Sequence, residues 1–114
     1  MDCNIEERNK RAAKEVALFL IECKYGYDTR IYFNNMCYEL NNNEITVLKN
    51  IKPSDYFDYA NNDTVSMSFE GPLYNAMNGY SSSKIYNTIE SIFNKYGYYM
   101  EMGNAWNVAV YDLP

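Results

Sequence analysis

The chain has 114 residues, with 10 basic and 15 acidic side chains, a formal net charge of −5, no histidine and three cysteines. A chain of this length is expected to form one domain, residues 1–114, that buries roughly two thirds of its extended surface and so needs neither disulfides nor metals for a core. A hydrophobic fraction of 47% argues against disorder. The longest apolar run, Val16 to Ile21, is far short of the roughly 20 residues of a membrane span.

Further exclusions come from the charges and the thiols. Asp2, Glu6, Glu7 and Glu15 spoil the positive start of a secretory leader, so a cytoplasmic protein is expected. Cys3, Cys23 and Cys37 are odd in number and form no CxxC pair, which fits reduced thiols. Phe, Tyr, Met, Ile, Asn and Lys far outnumber Gly, Ala, Arg and Pro, and lysines outnumber arginines seven to three. That bias follows AT-rich codons and points to a low-GC bacterium, its phage or a mobile element.

In chain order, the first element is a helix. Asn4 and Glu7 have the spacing of a capping box. Ile5, Ala12, Val16, Phe19, Leu20 and Cys23 then fall on one helical face, and Gly26 is the expected left-handed residue after the helix. Residues 29 to 48 change period. The runs Ile31 to Phe33, Cys37 to Leu40 and Ile45 to Leu48 read as a three-stranded meander with turns at Asn34-Asn35 and Asn41-Asn42-Asn43. Ser54 is expected to cap a short helix over Asp55 to Ala60.

Val65, Met67 and Phe69 alternate with Ser66, Ser68 and Glu70, as in a half-buried strand. Pro72 to Met77 reads as a short helix stopped by Gly79, with Glu70 as a capping acid. Ser81 to Ser83 can cap a third helix with Ile85, Ile89, Ile92, Phe93 and Tyr96 inward. Tyr98 to Met102 and Trp106 to Val110 make a last hairpin. The fold class is therefore α+β: an antiparallel sheet of five to six strands, two main helices on one face, and the other face meeting water. Lys24-Tyr25-Gly26-Tyr27 recurs as Lys95-Tyr96-Gly97-Tyr98, which raises the arrangement of two αββ units.

Without histidine there is no imidazole base near neutral pH, no Ser-His-Asp or Cys-His nucleophile and no histidine-bearing zinc site. Neither a P-loop nor a dinucleotide-binding glycine turn is present. The best carboxylate cluster, Asp55 and Asp58 on one helix face with Asp63 nearby, lacks the spacing of a calcium loop and reads as a solvated acidic surface. No enzyme, cofactor or metal is expected, and no direct nucleic-acid binding, because residues 31 to 114 hold four bases against nine acids.

Those residues also hold 11 of the 13 tyrosines, of which about half are expected to be mainly buried. Acid and tyrosine together suit a protein interface facing a basic groove. The function that fits best is an inhibitor of a basic, nucleic-acid-handling protein, such as a nuclease or a CRISPR effector. In class it would be anti-defence-like or immunity-like. Its candidate binding residues are Asp55, Tyr56, Asp58, Tyr59, Asp63, Glu70, Tyr99 and Glu101. A binder of a nucleotide signal and a subunit of a larger assembly are the alternatives.

Overall fold

The computed structural model describes residues 3–41, 43–79 and 83–114, without the side chains of Cys3 and Asn4. The chain is α+β. Its elements run α1 (Cys3–Cys23), β1 (Thr29–Phe33), β2 (Met36–Asn41), β3 (Glu44–Lys49), a 3-10 turn (Pro53–Asp55), β4 (Val65–Phe69), α2 (Pro72–Met77), α3 (Ser83–Lys95), β5 (Tyr98–Met102) and β6 (Asn107–Asp112). The six strands form one sheet in the order β3-β2-β1-β4-β6-β5, and all neighbours are antiparallel. The α1 and α3 helices lie on one face, and α2 packs against α3 and β4.

Period-two alternation sorts the strands between two faces. Ile31, Phe33, Tyr38, Leu40, Val65, Met67, Phe69, Tyr98, Met100, Val108 and Val110 meet the helices in the main core. From α1 that core takes Ala12, Ala13, Val16, Ala17 and Leu20, all fully buried, and from α3 it takes Ile89 and Phe93. Ala13 and Ala17, absent from the expected stripe, let α1 approach the sheet closely. Ile5, placed on the stripe, is 44% exposed, because the first turn of α1 offers it no buried site.

The β1–β2 turn is as expected. Asn34 and Asn35 both have positive φ, 51° and 60°, which makes a two-residue turn matching strand twist. Gly79 stops α2 at φ 81°. The Asn4 capping side chain, the Asn41 to Asn43 turn through Asn42, and the Ser81-Ser82 part of the third-helix cap lie outside the described residues.

Two expectations about helix ends are corrected. The left-handed residue after α1 is Lys24, at φ 66°, and not Gly26. The Tyr25 amide donates to the Leu20 carbonyl at 2.9 Å and the Lys24 amide to Ile21 at 3.2 Å, a Schellman arrangement. Gly26 serves closeness instead: a Cβ there would lie 3.1 Å from Leu40 Cδ1. In the second copy of the tetrapeptide Gly97 itself is left-handed, at φ 90°. The two copies also feed different places in the sheet, since β1 is interior and β5 is an edge strand. Each still joins a helix to a hairpin.

The second correction concerns Asp55 to Ala60. Helical geometry stops at Asp55, and the turn is preceded by Lys52 with no side-chain cap. The Ser54 hydroxyl instead accepts from Asn62 Nδ2 at 2.8 Å. Asp55 and Asp58 consequently share no helix face.

Candidate functional site

The sheet face away from the helices is only partly open to water. Residues 50 to 64 leave β3, descend across that face and return to β4. Ile51 N–H donates to the Asn35 carbonyl at 3.1 Å on the way in. The excursion turns at Tyr59, whose φ is 63° and whose Cβ sits beside Gly103 in the β5–β6 turn. On the way back Asn61 N–H donates to Ser66 Oγ at 2.9 Å, and Asn61 Nδ2 donates to the Val110 carbonyl at 3.1 Å. Thr64 Oγ1 donates to the same carbonyl.

This excursion closes a second, smaller core. Buried Tyr32, Cys37 and Phe57 pack there with Leu48, Ile51, Ala60 and Trp106. The Phe57 ring meets Tyr32 and Trp106 edge-on, each at 5.6 Å between centroids, and Tyr56 stacks on Tyr32 at 6.1 Å. Edge-on contacts place ring hydrogens against π-faces, which favours them over a face-to-face sandwich. Burial pushes the Cys37 thiol up to about 12 and also raises the Tyr32 phenol, whose hydroxyl lies 3.2 Å from Ser68 Oγ.

Beside this core is a cavity of about 360 Å³. Its floor is Arg30, Tyr32, Glu39 and Ser68; its walls are Tyr56, Phe57 and Trp106; Asp28 and Glu70 stand at one end. The two-residue Asn34-Asn35 turn sets Arg30 directly opposite Glu39, an oppositely charged cross-strand pair. Arg30 Nε and Nη2 donate to one Glu39 oxygen at 3.0 and 2.7 Å. Burial alone would lower the Arg30 pKa; the bonds to Glu39 and Tyr32 outweigh it and hold the guanidinium charged. That guanidinium also lies 6.0 Å from the Tyr56 ring centre. An adjoining depression shares Glu70 and Trp106 and reaches Tyr74.

The sequence-derived residues fall in three groups, on this side of the molecule except for Asp63, whose carbonyl accepts from Asn9 Nδ2 of α1 at 3.1 Å. Tyr56 and Glu70 line the cavity. Asp55, Asp58, Tyr59 and Asp63 are exposed along the excursion, Tyr56 and Tyr59 being 53% and 68% exposed. Tyr99 and Glu101 point to the same face from the edge strand β5, where Tyr99 packs on Tyr111 at 5.7 Å. Glu70 does not cap α2; Gly71 occupies that position with no side-chain bond. Of the twelve described tyrosines, Tyr32, Tyr38 and Tyr98 are buried, six are partly buried, and Tyr27, Tyr56 and Tyr59 are exposed, so at least half are mainly buried.

Sequence reasoning missed Asp28, Arg30, Tyr32, Glu39, Ser68 and Trp106. The signal for the Arg30–Glu39 pair was present, because a two-residue turn at Asn34-Asn35 fixes the register. Among the described residues no three Asp, Glu or Cys side chains converge on a possible metal position, and no helix is long and apolar enough to cross a membrane. On α1, Arg8 pairs with Asp112 at 2.6 Å and Arg11 with Glu7 at 3.1 Å, which leaves its basic surface partly neutralised. No protein-family model, curated protein or solved structure matches this chain.

Proposed function

We propose that this protein is a non-catalytic interaction module that inhibits a basic, nucleic-acid-handling protein by covering its nucleic-acid groove. The reading takes it to be encoded by a phage or mobile element and to act in the cytoplasm of a low-GC bacterial host. A nuclease or a CRISPR effector is the class of partner. The observation that carries it is the co-location of exposed acids and tyrosines, Asp55, Tyr56, Asp58 and Tyr59, on one pinned excursion over one sheet face, with exposed Asp63 where the excursion returns to β4. Such a surface is complementary to a cationic groove. Long-range attraction would speed docking, while the aromatic side chains supply contact area with few rotatable bonds.

The test is affinity capture from a low-GC bacterial lysate, followed by assay of the captured protein's nuclease or nucleic-acid-binding activity. The wild type should retain such a protein in a salt-sensitive way and inhibit it. A variant carrying Asp55→Lys, Asp58→Lys and Asp63→Lys should do neither. Equal capture by the variant, or capture without inhibition, overturns the reading.

The cavity favours a second reading, a small-molecule binder, because aromatic walls with a few polar groups are what a ligand site offers. A nucleotide panel in a thermal-shift assay separates the two. A ligand at 100 times its Kd adds about 2.7 kcal/mol of stability.

A further inference from the structure

We propose that the cavity of the open face takes one arginine side chain of the partner, its guanidinium held between the aromatic walls and the carboxylates of Asp28 and Glu70. This rests on the interaction reading above and names the chemistry at its centre. Three carboxylates, Asp28, Glu39 and Glu70, line the cavity against one guanidinium, Arg30. Arg30 is bonded to Glu39, so the charge left over is that of Asp28 and Glu70. Among the described residues neither has a side-chain partner. A phosphate or a nucleotide would enter against that charge, whereas a cation is drawn by it and by the aromatic lining. Guanidinium suits the site better than ammonium, since it is planar, stacks on aromatic rings and can donate to two carboxylates at once.

The two acids are set in place by the backbone. The Thr29–Phe69 pairing continues outward, with Glu70 N–H donating to the Asp28 carbonyl at 3.2 Å, so Asp28 and Glu70 stand opposite one another. Gly71 seals the corner: a Cβ there would lie 2.2 Å from the Tyr27 carbonyl oxygen and 3.2 Å from Asp28 Cβ. Like charges directly opposite destabilise a sheet. A cation between them removes that repulsion, so part of the cost of holding the free site is recovered on binding.

Trp106 is the chain's single tryptophan and lines the cavity, so its emission reports occupancy. The experiment titrates the whole protein with acetyl-Gly-Arg-Gly-amide, with the same peptide carrying neutral citrulline, and with AMP. The arginine peptide should give a saturable change with Kd on the order of 1 mM, weakened by salt. Citrulline should bind roughly tenfold more weakly or not at all.

Asp28 has φ 60°, and Asp28→Asn keeps that left-handed backbone, which asparagine tolerates. Both it and Glu70→Gln should weaken the peptide by a similar factor while leaving Tm unchanged or raised. A purely structural role would instead lower Tm. Equal binding of arginine and citrulline peptides, undiminished binding by both variants, or tighter binding of AMP than of the arginine peptide overturns the proposal. If the peptide fails while the wild type still captures and inhibits a basic partner, the pocket assignment falls and the interaction reading stands. If the peptide binds with this charge dependence but no basic partner is found, the pocket stands and the inhibitor reading falls.

Discussion

Phe57→Ala tests whether the excursion over the open face is an integral part of the fold. Phe57 is 7% exposed, so nearly its whole ring is out of water. Truncation to alanine removes on the order of 100 Å² of buried apolar surface, or about 2.5 kcal/mol at 25 cal/mol per Å². Losing two edge-on aromatic contacts, each worth about 0.5 kcal/mol or more, adds about 1 kcal/mol. The total, about 3.5 kcal/mol, is toward the lower end of measured Phe→Ala costs, as befits a wall that can partly collapse. For 114 residues the unfolding entropy is about 0.24 kcal/mol/K, so Tm should fall by about 15 °C.

Far-UV circular dichroism reports the sheet and helices, and Trp106 emission reports the cluster, since the Trp106 ring is 5.6 Å from Phe57. Both probes should shift together, and Phe57→Leu should cost only about 1 kcal/mol. A Tm change under about 3 °C, or altered Trp106 emission with an unchanged dichroism midpoint, would refute the reasoning. The excursion would then be a loose flap without energetic linkage to the sheet.

Further outcomes follow from the same geometry. Gly97→Ala should cost about 1–2 kcal/mol in urea unfolding, because alanine at φ 90° is strained. Lys24→Gly should cost nothing and gain up to about 1 kcal/mol, whereas a loss would mean that Lys24 is not the left-handed residue after α1. Hydrogen bonds from Lys95 and Tyr96 hold the Glu15 carboxyl below its ordinary 4.5. Its contribution is therefore present above pH 4.5 and lost as pH falls through the lower folded value, so urea midpoints between pH 3 and 6 should show a shallower acid limb for Glu15→Gln. Cys37, buried and with its thiol near 12, should resist iodoacetamide at pH 8 while partly exposed Cys23 reacts, as peptide mass spectrometry would show. Phe57→Ala should speed Cys37 labelling by uncovering it.

The strands were legible because their signal is local. Alternation in Val65 to Phe69 assigns a face to each residue, and Asn34-Asn35 supplies both a turn and a register. The α1 stripe was legible in its large residues, but Ala13 and Ala17 look alike whether buried or exposed; only the closeness of the sheet decides. The repeated Lys-Tyr-Gly-Tyr does not fix the helix end, because identical local residues adopt different backbones under different packing. At Gly26 the neighbour is Leu40, fourteen residues away in sequence, and at Gly97 it is Arg8, from the far end of the chain. Residues 53 to 63 carry no period at all. Their path is fixed by long-range contacts, Phe57 on Tyr32 and Asn61 on Val110, so local propensity suggested a helix where tertiary packing imposes an irregular segment.

The length of that segment bears on what it is for. Because neighbouring strands are antiparallel, β3 ends and β4 begins at the same end of the sheet, with β2 and β1 between them. Three inter-strand spacings come to about 14 Å, a gap that roughly five extended residues can bridge. The link instead runs from residue 50 to residue 64, and connectivity does not require the surplus. The helix-bearing face has its core already, so the extra chain goes to the other face. There Phe57 and Tyr56 build the cavity wall, and Asp55 and Asp58 stay outward. A link kept only for stability could seal that face with apolar residues and leave no cavity beside two unpaired carboxylates. The surplus residues make that face concave, aromatic and acidic, and these are properties a partner can read.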